Sequence, residues 1–287
     1  MLPEIKRSIL SSLEKSTMYS LLKDGKRIDG RNFYDIRSIK ILPSIIEKAE
    51  GSALVYLGNT KVLAGVKVSL ARPFEDMPNQ GLFVTGAELT PVASPAFELG
   101  PPSYFSIELA RVVDRAIRSS EMIDLEKLVI IPGEIVWMIN IDIYPLDDDG
   151  NLIDASMLAV IAALMTTEIP KAEIADLEKG KVNVIKDEKR PLPLVDLPIS
   201  FTFAKIGDYI LLDPSSAEEN IMQNRLTIAI NNKGEICSIQ KGEGGGFKFN
   251  EVIIAKNIAI EKVNEVRKLV VNQLAKNPRG PNAWEYI

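Results

Sequence analysis

The stretch Ile153 to Thr167 constrains the fold more than any other part of this chain. Read at about 100° per residue, it is apolar nearly all the way round. A helix without a polar face cannot sit on a surface, so it must be buried against a sheet. The surrounding sequence supplies that sheet. Ile36 to Leu42, Gly51 to Leu57, Lys61 to Leu70 and Gly81 to Glu88 read as strands, with Gly58-Asn59 as a hairpin turn. Leu128 to Ile131 and Glu134 to Tyr144 follow. In the latter, Ile135, Trp137, Ile139, Ile141 and Ile143 share one face, with Val136, Met138, Asn140 and Asp142 on the other.

Other segments complete the organisation. Leu2 to Lys23 reads as an amphipathic helix with Pro3 in its first turn. Ala71 to Gln80 and Thr90 to Pro102 are loops, and Lys179 to Pro198 is a charged, proline-containing boundary. Ile199 to Ile206, Tyr209 to Leu212, Leu226 to Asn231 and Ile236 to Lys241 are a second set of strands, and Asn250 to Leu274 a long closing helix. The chain therefore divides into an N-terminal helix (1–24), a first unit (25–190) and a second unit (191–287) that echoes the first. The fold class is α/β (α+β), as two related strand-and-helix units packed together.

A second helix, Ile107 to Arg118, carries the distinctive surface chemistry. Leu109, Val112, Val113, Ala116 and Ile117 fall on one arc, with Glu108, Arg111, Arg115 and Arg118 opposite. Three guanidiniums line one ridge, and their fixed forks of donors suit phosphate oxygens. The alternative is a solvated face, with Glu108 pairing Arg111 and Asp114 pairing Arg118.

Composition narrows the chemistry. Histidine is absent, which excludes Ser-His-Asp and Cys-His catalysis and the usual zinc sites. One cysteine, Cys237, allows no internal disulfide and fits a reducing, cytoplasmic setting; its apolar neighbours suggest a core role. No run of about 20 apolar residues predicts a membrane span. Net charge is −5, so RNA binding would need a local cationic patch or a more basic partner. Gly242-Glu-Gly-Gly-Gly-Phe247 reads as a permissive turn, because a phosphate loop's Gly-Lys-Ser/Thr is missing. Asp147-Asp148-Asp149 reads as a solvated turn, with a Mg2+ site as the alternative. Lys26 to Arg31 reads as a surface turn, with phosphate contact as the alternative.

The ordered motifs Gly25-Lys-Arg-Ile-Asp-Gly-Arg31, Ile36-Arg37 and Gly51-Ser-Ala-Leu-Val-Tyr-Leu-Gly-Asn-Thr-Lys-Val62 resemble the opening of ribonuclease PH-like proteins. Arg72-Pro-Phe-Glu-Asp-Met-Pro-Asn-Gln-Gly81, Glu98-Leu-Gly-Pro-Pro102 and the Arg helix narrow the resemblance to the non-catalytic ribonuclease PH-like subunits of the archaeal exosome. The resemblance runs from about Leu22 to the final helix. It implies a duplicated βαβα-type fold. It implies a ring of three heterodimers with a catalytic sister subunit, RNA-binding cap subunits and single-stranded RNA in the central channel. The sister uses inorganic phosphate to shorten RNA from its 3′ end. This chain itself then needs no cofactor or metal.

By the same resemblance, Phe105, Asn151, Leu152, Glu219 and Arg225 stand where active members carry phosphate-binding and acidic residues. Leu152 has no donor for phosphate, and Arg225 cannot act as a general acid or metal ligand. The chain is thus expected to hold no catalytic residues. Arg111 and Arg115 are expected to hold RNA backbone, with Arg118 flanking them. Two alternatives stay open. One is a self-sufficient phosphate-dependent 3′-to-5′ exoribonuclease that uses Asp213 or Glu219. The other is a small-molecule enzyme or scaffold without RNA.

Overall fold

The computed structural model describes residues 12–176 and 180–276. Helix α1 (Ser12–Lys23) covers the described part of the expected N-terminal helix, and residues 2–11 of that expectation lie outside the described residues. The first sheet contains β1 (Ile39–Pro43), β2 (Gly51–Leu57), β3 (Thr60–Ala71), β4 (Leu82–Ala87), β5 (Val129–Ile131) and β6 (Ile135–Asp147). Its order is β1-β2-β3-β6-β4, and β5 also pairs with β6. Only the β4–β6 pairing is parallel; the other pairings are antiparallel. Trp137, Ile139, Ile141 and Ile143 are buried, as the alternation requires, and Val136 is buried with them.

Helix α2 (Tyr104–Ser119) is the Arg helix. Ser103 caps it by accepting a hydrogen bond from the Ser106 amide. Helix α3 (Leu152–Met165) is the apolar helix, and all fourteen of its residues are buried. It packs on β2 and β3 from one side and on a second sheet from the other. That second sheet is antiparallel, with order β10-β9-β11-β12. It consists of β9 (Ile199–Ile206), β10 (Tyr209–Leu212), β11 (Asn224–Ile230) and β12 (Ile236–Gly242). A short helix α4 (Ser216–Glu219) links β10 to β11, and α5 (Phe249–Ala275) packs on β9 and β11 and reaches β1.

Two features depart from the sequence reading. Residues 181–191 of the expected boundary form β8 (Lys181–Pro191), which pairs with β7 (Glu168–Asp176) as a separate two-stranded sheet. Helix α1 packs through Met18 and Leu22 on Ala204, Ile206 and Leu211 of the second unit. Otherwise one continuous hydrophobic core joins both sheets through α2, α3 and α5. No described helix is long and apolar enough to cross a membrane.

Candidate functional site

The arginine face of α2 and the start of α3 are the two candidate anion sites, and they differ in what fills them. The first is the outer face of α2. Leu109, Val112, Val113, Ala116 and Ile117 are buried, which turns Arg111, Arg115 and Arg118 outward. Arg111 has no hydrogen bond or ion pair among the described residues. Arg115 Nη1 donates to Gln240 Oε1 on β12 at 2.6 Å. Arg118 is held more closely. It pairs with Asp114 at 3.0 Å, donates to the Phe83 carbonyl and lies 3.9 Å above the Phe83 ring. The expected Asp114–Arg118 pair is therefore present. Glu108 does not turn to Arg111: it pairs with Arg225 of β11 at 2.8 Å, which frees Arg111. The Arg225 guanidinium also faces the Phe105 ring at 5.9 Å. Phe105, half-buried, and the buried Arg225 thus face each other across the two units.

The second region is the start of α3. Asn151 caps the helix in the left-handed conformation, φ +53°, which Asn tolerates better than most residues. Gly150 before it has φ +83°, and a Cβ there would lie 2.5 Å from the Ser215 carbonyl carbon, so the turn requires glycine. The positive end of a helix attracts anions. Here the chain supplies its own. Glu219 Oε1 accepts the Asn151 amide at 2.9 Å, and Asn151 Nδ2 donates to Asp213 at 2.7 Å and to Asp154 at 2.9 Å. Asp213 is further gripped by Arg37 and Arg31.

The electrostatics of the two buried carboxylates diverge. Burial pushes Asp154 above the ordinary carboxylate range, despite hydrogen bonds from Ser200, Asn151 and Thr202. Burial works against the Asp213 carboxylate too, but Arg37 bonds to it directly and holds it below the ordinary range.

The remaining sequence candidates resolve simply. The Lys26 to Arg31 segment is not a plain surface turn: Arg27 is 2% exposed and pairs with Glu218, because α4 folds over it. Gly242 to Phe247 is the turn between β12 and α5. Asp147 pairs with Lys61, and Asp149 lies 3.8 Å from Arg37. Among the described residues no three acidic, Cys or His side chains gather as a metal site. Burial pushes the Cys237 thiol up to about 11, which makes it a poor nucleophile. The residue that sequence reasoning missed is Gln240. Strand alternation puts it on the face of Ser238, yet nothing local announces a partner 125 residues away.

Comparison with known proteins fits this arrangement. The model for domain 1 of the 3′ exoribonuclease family matches residues 35–170, and the model for domain 2 matches residues 196–262. The chain belongs to the 3′ exoribonuclease family. It is 51% identical over 263 residues to the exosome complex component Rrp42 of Thermococcus gammatolerans, covering 92% of this chain and 96% of that protein. It is 48% identical to Rrp42 of Methanopyrus kandleri over 266 residues, covering 93% and 98%. Among solved structures it resembles a chain of the Archaeoglobus fulgidus exosome with RNA bound to the active site. That likeness has a TM-score of 0.82 and 44% identity, over 89% of this chain and 97% of the other. The expected ribonuclease PH-like fold is thereby established.

Proposed function

We propose that this chain is a non-catalytic, RNA-positioning subunit of an archaeal exosome, a phosphorolytic 3′-to-5′ exoribonuclease ring. The contrast between the α2 ridge and the start of α3 carries the reading. The α2 ridge turns Arg forks to solvent, whereas the start of α3, where active members bind phosphate, is filled by Glu219 and Asp213 of the chain itself. Arg111 and Arg115 hold backbone phosphates of single-stranded RNA, and Arg118 extends the ridge with a fork already shared with Asp114. Such contacts position RNA without reading its bases, which suits an exonuclease that must accept many sequences. A catalytic ribonuclease PH-like sister supplies the chemistry and consumes inorganic phosphate. The two alternate in a ring of three heterodimers, topped by RNA-binding cap subunits, in the cytoplasm. The Rrp42 relatives and the exosome structures support the assembly; the filled start of α3 supports the division of labour.

The test is phosphate-dependent shortening of labelled poly(A) by this chain alone, by the sister alone and by the mixture. The expected result is no activity alone and more from the mixture than from the sister. Shortening by the pure chain would establish a working phosphate site here and overturn the non-catalytic role. In the assembled ring, Arg111→Glu and Arg115→Glu should each weaken RNA binding about tenfold or more without dissolving the ring. Unchanged binding would remove the ridge from the RNA path.

A further inference from the structure

Arg115 differs from its neighbours on the ridge in how it is held. Arg111, one turn earlier, has no partner among the described residues. Arg118 is committed to an acidic residue of its own helix and to Phe83. Arg115 is fixed by a neutral acceptor from the other unit: Gln240 Oε1 receives its Nη1 proton at 2.6 Å. Gln240 stands on β12, an edge strand of the second sheet, and β12 packs directly on α2. Its platform is firm, because Ser238 on the same strand is buried and β12 pairs with β11 along its length.

The chemistry of that acceptor is informative. Arg offers five N–H donors, so one bond to Gln240 leaves the rest of the fork available. A carboxylate in the same place would order the guanidinium equally well, but would cancel the charge that attracts phosphate. An amide oxygen orders it and leaves the charge intact. Long side chains lose rotamer freedom on binding, and that loss is smaller when the free protein has already imposed it.

We propose that Gln240 is a positioning residue, which pre-orders the Arg115 fork for the RNA backbone. The proposal rests on the reading of the α2 ridge as an RNA-binding face. It assigns the second unit a role in RNA binding that acts through a first-unit side chain.

The test uses the ring reconstituted with its catalytic subunit and a labelled poly(A) oligonucleotide, with Kd measured across a salt series. Gln240→Leu keeps every charge and removes the acceptor. It should weaken binding about two- to tenfold, the effect of releasing one long side chain, with the salt dependence unchanged. Arg115→Ala should weaken binding and lower the salt slope by about one. Gln240→Glu keeps the acceptor but adds charge, and should also lower the salt slope. In the Arg115→Ala background, Gln240→Leu should have no further effect. Parent-like binding by Gln240→Leu, or an equal loss in the Arg115→Ala background, would overturn the proposal while leaving the ridge in place. If Arg111→Ala and Arg115→Ala both bind as the parent does, the ridge reading itself fails, and the proposal with it.

Discussion

Asp213 ties its own segment to two that the sequence keeps far apart, the loop of Arg31 and Arg37 and the turn at Asn151. It accepts from the Arg37 amide and side chain, from Arg31 and from Asn151, all within 3.0 Å. Its carboxyl group is held below the ordinary range, so ionised Asp213 favours the folded state. That contribution is present above the unfolded value of about 3.9 and is lost as pH falls through the lower folded value. Asp154, which shares the Asn151 amide group, has the opposite sign. Its raised folded value contributes stability below the unfolded value, lost as pH rises through the folded one. Asp213 therefore belongs to the acid limb of the stability profile and Asp154 does not. Asp213→Asn should leave Arg37 and Arg31 without their buried counter-charge and cost about 3–5 kcal/mol at pH 7. It should also flatten the loss of stability below about pH 4. Urea unfolding over a pH series measures both, and parallel acid limbs in the two proteins would refute the assignment.

At the scale of elements, close approach decides what the sequence tolerates. A Cβ on Gly51 of β2 would stand 2.1 Å from Thr167 Oγ1 and 2.4 Å from the Ala163 carbonyl at the end of α3. The carbonyl belongs to the helix backbone and cannot rotate aside. Gly51→Ala should destabilise by about 1–3 kcal/mol, read as a lower midpoint in thermal or urea unfolding. An unchanged midpoint would mean that β2 and α3 are free to separate. The elements in this core were legible because burial imposes periodicity: β2, β9 and β10 match the sequence reading residue for residue, and α3 was demanded by its apolar girth. The β7–β8 hairpin was not legible. It is mostly exposed, so alternation is confined to the short stretch Lys181 to Val184, and Lys171 pairs with Glu173 and Glu188 on the surface. Such pairs contribute little and leave no pattern to read. Ile169 is fully buried in the core, and Ala172 and Val184 pack against it only in part, so the hairpin follows the rule that revealed the other strands weakly.

Across the whole molecule, the two units are visible in sequence as a repetition, but their merger into one body is not. The merger depends on contacts between distant residues: α3 between two sheets, a core shared by β3 and β9, and the Glu108–Arg225 pair from α2 to β11. The same pair explains why the ridge could not be fully resolved from spacing. Helical arithmetic offers Glu108 to Arg111, but the second sheet supplies a competing partner, whose side chain is only 3% exposed. A buried guanidinium without a carboxylate is far costlier than an exposed one, so Glu108 goes to Arg225 and Arg111 stays available to solvent. A core continuous across both units should unfold as one. Calorimetry of the chain should show a single transition whose van't Hoff and calorimetric enthalpies agree. Arg225→Ala should lower that transition by the lower part of about 3–5 kcal/mol without splitting it, because Glu108 retains some access to water. Two resolved transitions would mean that each unit is stable alone. The Glu108–Arg225 and Arg115–Gln240 contacts would then join two units that fold without each other.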